Sequence, residues 1–218
     1  MVSFARREPS ATLLAAQLAA VLLYPLVEGG SAGRALLSVV GIAILGLVLL
    51  AVQSSPGQSV IIVLLAIPAT VLLVIQAVTG SDTLLPYSSA LEAVIYFYAA
   101  GALIAYMLAD HDITRDELFA VGATFTLVAW AFAYSYTVLQ AIEPGSFTAA
   151  VDPAADRSWM ELLFLSFTTL SSTGLSDVVP IKSFARSLVM LEQLAGVAYI
   201  AMVVSRLVGL TVLRSRST

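Results

Sequence analysis

Apolar residues run along this chain in long blocks separated by short polar breaks. A helix that crosses a bilayer needs roughly 20 apolar residues. Six blocks approach that length: Ala11 to Val27, Ala35 to Val52, Val60 to Val78, Ser88 to Leu108, Leu118 to Ile142 and Phe184 to Leu213. The first three close on Glu28-Gly29-Gly30-Ser31, Gln53-Ser54-Ser55-Pro56-Gly57 and Thr79-Gly80-Ser81-Asp82. Such Gly, Ser and Pro clusters are turn punctuation between antiparallel helices. The gaps before residue 88 are short, so the first four blocks are expected to form a compact bundle.

A seventh apolar block is different. Ser158-Trp159-Met160-Glu161 is a capping box and predicts a helix from Trp159 to Leu170. A helix of that length rises roughly 18 Å, too little for a hydrocarbon core of about 30 Å. It is expected to dip into the membrane and return, which is tolerated only where protein or water surrounds its backbone. Thr114-Arg115-Asp116-Glu117 is a second capping box, with Thr114 capping the fifth span and Glu117 reaching back. The fold class is therefore all-α: a polytopic membrane protein with six transmembrane helices and one re-entrant helix.

Composition agrees. The chain has 218 residues, 60% of them hydrophobic and only 11% charged, with a mean hydropathy of +0.98. No soluble domain of this size has enough interior for so much apolar surface. There is no cysteine and one histidine, His111, which excludes disulfides and thiolate or histidine-rich metal sites. No Ser/His/Asp set and no phosphate-binding loop is present, so an enzyme is not expected. Nucleic acid is not an expected partner, and membrane lipids are.

Charge placement sets an orientation. Arg6 and Arg7 precede the first span, which is read as uncleaved rather than as a signal peptide. With the N-terminus inside, the inner segments hold Arg6, Arg7, Arg115, Arg206, Arg214 and Arg216, and the outer ones Arg34, Arg157, Lys182 and Arg186. This follows the positive-inside rule, with both termini cytoplasmic in a multi-pass protein of the cell membrane. The outer side then gathers Glu143, Asp152, Asp156, Glu161 and Asp177, an acidic mouth that concentrates cations.

The candidate chemistry follows the short helix: Phe167-Thr168-Thr169-Leu170-Ser171-Ser172-Thr173-Gly174-Leu175-Ser176-Asp177-Val178-Val179-Pro180. A helix that stops here directs its negative C-terminal end at the turn. Four such ends around an axis would stabilise a cation in the membrane centre. Ser172 and Thr173 can supply hydroxyl or carbonyl oxygens, and Gly174 and Leu175 carbonyls, which suits a monovalent alkali cation.

From about Glu117 to Leu210 the chain resembles the pore module of the tetrameric potassium-channel superfamily: outer helix, pore helix, filter, inner helix. The family's run F-x-T-L-T-T-V-G-Y-G-D-x-x-P is matched by Phe167, Thr169, Leu170, Gly174, Asp177 and Pro180. Gly196 falls where the family often has its inner-helix hinge glycine. The resemblance implies a selectivity filter at Ser172, Thr173, Gly174, Leu175 and Ser176, supported by Thr168, Asp177 and Pro180. It implies a homotetramer, no cofactor, and potassium as the permeant ion, with sodium as the alternative.

The departures qualify this. Thr173 replaces Val, Leu175 replaces Tyr and Ser176 replaces the second Gly. A serine at a position needing positive φ costs about 1 kcal/mol or more, and Ser176 is expected to carry that strain. Thr173-Gly174-Leu175-Ser176 is also similar to the one-glycine filters of Trk/Ktr/HKT-type potassium and sodium uptake proteins, which carry four pore repeats on one chain. The alternatives are a weakly selective or sodium-conducting channel, or a non-conducting structural membrane protein with a decayed filter.

Several other residues matter. In some family members an acid on the pore helix pairs behind the filter; the matching position here is Thr168, so Asp177 either hydrogen-bonds there or stands solvated at the mouth. Glu192 lies about 15 Å into the sixth helix, one turn from Gly196. It either faces the cavity or packs behind the pore helix, bonded to a Ser or Thr there. Glu92 is explained by snorkelling or by pairing with Arg34. His111, between Asp110 and Asp112, reads as a solvated turn. Trp130, Trp159 and the tyrosines near helix ends read as interface anchors.

The fourth span contains no Arg or Lys, and a voltage sensor needs a regular series of them. Residues 1–112 are therefore expected to form a four-helix bundle without a sensor, and 113–218 the pore domain. Few residues follow the sixth span, so gating is expected from the filter, the inner helix near Gly196, or the membrane. The short 109–117 connection favours docking of the bundle on its own pore module.

Overall fold

The computed structural model describes residues 8–27, 41, 43, 44, 46, 47, 56–79, 82–109 and 114–216. Its helices are α1 (Pro9–Val27), α2 (Pro56–Thr79), α3 (Leu85–Leu108), α4 (Arg115–Ile142), α5 (Trp159–Leu170) and α6 (Ser183–Arg216). Among the described residues, four helices are long and apolar enough to cross a membrane: α1, α3, α4 and α6. Within α2 the apolar stretch is the shorter Leu64–Gln76. Of the second predicted span, Gly41, Ala43, Ile44, Gly46 and Leu47 are described, each helical. The rest of that span, Arg6, Arg7, Arg34 and the Asp110-His111-Asp112 turn lie outside the described residues.

Helix α4 is the hub and packs against α1, α3, α5 and α6. Its sequence explains this. Ala120, Ala123, Ala129, Ala131 and Ala133 are fully buried, and small residues let helix backbones approach closely where lipid offers no hydrophobic drive between helices. Gly122 extends the same logic to α1: a Cβ there would lie 2.9 Å from Cδ2 of Leu14. The hydroxyls of Thr126, Ser135 and Thr137 donate to the carbonyls of Gly122, Ala131 and Ala133 one turn back, so they sit in an apolar helix without orphaned protons.

One core joins α1, α3, α4 and α5 through Leu13, Ile95, Tyr96, Ala99, Leu127, Trp130 and Leu163. Trp130 is thus a core residue rather than an interface anchor. Its ring stands perpendicular to Trp159 at 5.4 Å and edge-on to Tyr96 at 5.8 Å. A second core fills the space between α4, α5 and α6 with Phe132, Tyr136, Leu162, Leu165, Ala185 and Val189.

Two short strands, which the apolar pattern does not predict, depart from the all-helical plan. β1 (Phe147–Ala149) pairs antiparallel with β2 (Val178–Pro180), with Thr148 opposite Val179. Three-residue strands carry too little alternation to stand out in sequence. They tie the loop after α4 to the segment that follows the serine-rich turn.

Both N-caps form, with one difference. Ser158 and Glu161 make the full reciprocal box at the start of α5. Thr114 caps α4 by accepting from the amide of Glu117, but the Glu117 carboxylate turns to Arg206 of α6 at 3.4 Å instead of reaching back. An arginine across the interface outcompetes one backbone amide for a buried carboxylate. At the same end, Asp116 accepts from the amide and the hydroxyl of Ser10 at 3.0 and 2.8 Å. The N-termini of α1 and α4 therefore lie side by side.

Candidate functional site

The site is the turn at the end of α5. The helix closes in a Schellman motif: the amide of Ser172 donates to the Thr169 carbonyl at 3.0 Å, and the amide of Thr173 to the Thr168 carbonyl at 2.9 Å. The first of these two donors, the residue just past the helix cap, must be left-handed, a place glycine usually fills. Here it is Ser172, with φ of 60°. Gly174 follows with φ of 66°. Backbone strain thus falls on Ser172 and not on Ser176, whose hydroxyl instead accepts from the Val178 amide at 3.0 Å.

The Thr168 carbonyl gathers further donors, the Gly174 amide at 3.0 Å and the Thr173 hydroxyl at 3.2 Å. Ser171 and Thr173 hydroxyls lie 3.0 Å apart, and Ser171 also donates to the Phe167 carbonyl at 2.6 Å. The turn is held by its own serines and threonines. Ser172, Thr173, Gly174 and Leu175 are exposed, and Leu175 is 77% accessible on the single chain. A large apolar side chain and three small turn residues are therefore exposed together.

Around the turn the predicted support residues separate. The buried Thr168 hydroxyl bonds the Leu165 carbonyl at 2.9 Å, while Asp177 is exposed. Among the described residues no hydrogen bond joins the two. Pro180 ends β2, and its carbonyl accepts from Arg186 at 3.3 Å. Gly196 lies in an unbroken α6, against the end of α5.

Glu192 is fully buried behind α5. It accepts from the Tyr136 hydroxyl of α4 and meets the Ser166 hydroxyl of α5. Ser166 also reaches the Ala129 carbonyl at 2.8 Å. One carboxyl group thus joins the three helices that flank the turn, and of its two sequence alternatives the packed one holds. Ser166 and Tyr136 were not singled out by the sequence; a lone serine and a lone tyrosine in apolar helices carry no spacing signal.

Arg157 was also missed as a structural residue. It is buried, and its guanidinium donates to the carbonyls of Val151, Asp152 and Ala155 and to Glu161. Its amide and carbonyl pair with the side chain of Gln140 at 2.9 and 3.0 Å. The visible signal was a single basic residue directly before an N-cap in an acidic loop.

Comparison with known proteins decides the class. The family described as ion channel, a potassium-channel-type domain with two membrane helices, matches residues 93–212, more than half of the chain. The chain belongs to this ion-channel family. The match takes in all of α4 and α5 and most of α6, and α4 and α6 are each long and apolar enough to cross a membrane. No curated protein and no solved structure matches the chain.

Proposed function

We propose that four copies of this channel assemble around the α5 turns into a pore that conducts potassium passively, with the filter at Ser172, Thr173, Gly174, Leu175 and Ser176. The observation that carries this is the exposed turn Ser172-Thr173-Gly174-Leu175, with its carbonyl and hydroxyl oxygens, at the end of a twelve-residue apolar helix set between two long apolar helices. In one copy these oxygens would stand uncompensated against lipid, at a cost of several kcal/mol per group. Around a shared axis they replace the hydration shell of a cation. Self-association also covers Leu175 and the outward residues Leu191, Leu194, Val197 and Val204 of α6, all more than half exposed on one chain.

Six crossings place both termini in the cytoplasm and the acidic loop at the outer mouth of a cell-membrane protein. Residues 1–112 then surround the pore module of 113–218 as a bundle without gating charges. Opening is voltage-independent.

A weakly selective or sodium-conducting pore has its own support. The filter holds one glycine, and the left-handed backbone occurs at Ser172 and Gly174 but not at Ser176, which departs from a two-glycine filter. The test is flux through purified protein in liposomes under imposed potassium and then sodium gradients. Potassium flux alone is expected. Flux of both ions replaces it with the relaxed filter, and flux of neither from a confirmed tetramer overturns conduction. Ser176→Gly combined with Leu175→Tyr should sharpen potassium preference if the native filter is relaxed.

A further inference from the structure

Away from the turn, α1, Gly41, α2, α3, α4 and the start of α5 line a half-open cavity of about 450 Å³, within the range of small-molecule sites. Its walls combine three features that the channel reading does not use. The first is Glu92, 2% exposed about two turns into α3 and hydrogen-bonded to Tyr134. It neither snorkels nor, among the described residues, meets a basic side chain. Arg157, the one cation of the wall among the described residues, is committed to the loop carbonyls and Glu161.

The second feature is aromatic. Tyr24, Trp130 and Tyr134 surround Trp159 with ring centroids at 5.5, 5.4 and 5.4 Å, and all four rings line the cavity. The third is a set of buried polar atoms, Ser89 Oγ, Trp130 Nε1 and Trp159 Nε1, with no hydrogen-bond partner among the described residues. Indole nitrogens only donate, so they call for an acceptor beyond the described residues, and buried polar groups left unpaired are rare.

We propose that this cavity binds a small organic ammonium carrying a neighbouring oxygen. The positive head takes the Glu92 carboxylate and the aromatic faces, which attract cations when desolvated. The oxygen accepts from the indoles. The same ammonium chemistry reaches the cavity from two sources, a lipid headgroup or a free amine.

The chain's two tryptophans both line the cavity, so intrinsic emission reads it directly. Purified protein in phosphatidylglycerol vesicles is titrated with choline and with its uncharged carbon isostere, dimethylbutanol, at constant ionic strength. A saturable emission change with choline is expected, at least about tenfold weaker with the isostere and with Glu92→Gln. No saturable change with choline, or equal binding of the isostere, overturns the site. The wild-type comparison decides even if Glu92→Gln fails to fold. Vesicles containing phosphatidylcholine separate the sources: a choline response already saturated there assigns a headgroup, and an unchanged one assigns a free amine. Ion flux is not read, so the site and the pore stand or fall separately.

Discussion

A Cβ placed on Gly196 would lie 2.1 Å from the carbonyl oxygen of Leu170, so α6 and the end of α5 touch backbone to backbone. Glycine here is a contact requirement within a continuous helix. Gly196→Ala must push the last turn of α5, and with it the filter, or move α6. The expected loss is about 1–3 kcal/mol of stability, the usual range for overpacking. Thermal unfolding in detergent, followed by tryptophan emission, checks it. An unchanged midpoint with altered flux would instead assign Gly196 to hinge bending.

The Glu192 cluster makes a different prediction. Ser166 has one hydroxyl proton and two oxygens in reach, the Ala129 carbonyl and Glu192. A side chain that accepts from Tyr136 and donates to Ser166 satisfies every contact, and glutamine has that pattern. Glu192→Gln should therefore stay within about 1 kcal/mol of wild type. Glu192→Leu leaves the Tyr136 hydroxyl buried without an acceptor and should cost roughly 1–3 kcal/mol. Chemical denaturation of the two variants side by side separates these outcomes.

Ser172 occupies the left-handed position of the Schellman motif. Non-glycine residues there cost about 1–2 kcal/mol. Ser172→Gly should be stabilising or neutral, and Ser172→Val should weaken the turn by more than 1 kcal/mol, roughly, because β-branched residues resist positive φ. Liposome flux should fall for the valine variant and persist for the glycine variant.

Glu117 and Arg206 form a largely buried pair between α4 and α6. Removing either partner leaves the other inside an apolar interface, and breaking such pairs costs about 3–5 kcal/mol when burial is complete. The double variant Arg206→Ala with Glu117→Ala should lose less stability than the two single variants summed. A coupling energy indistinguishable from zero in this double-mutant cycle would show the pair to be incidental.

Much of this architecture was legible in the sequence because long apolar runs and caps are strong local signals. The bounds of α5 follow from the Ser158–Glu161 box and from the Ser171-Ser172-Thr173-Gly174 break. The turn's own oxygens were visible for the same reason. Hidden from the sequence were contacts between distant elements: Glu117 with Arg206, Tyr136 and Ser166 with Glu192, and the pairing of β1 with β2. Each depends on which helix faces meet, and in a membrane protein apolar periodicity does not mark the buried face, because lipid and core are equally apolar. The placement of strain at Ser176 failed for a related reason. It followed the family pattern, whereas the closure of α5 sets the left-handed residue at Ser172.

The Arg157 hub and the β1–β2 ladder hold the two ends of one short stretch of chain. The first fixes the start of α5 through Glu161, and the second fixes Val178 against Ala149. Between the end of α5 and that ladder only Ser171 to Asp177 remain. Such a tether has almost no slack, so it loses little conformational entropy on adopting one path. In the proposed pore this tether would hold Gly174 and its neighbours on one path. Loosening the frame, at Arg157 or at the ladder, would then act on ion occupancy without changing any residue an ion touches.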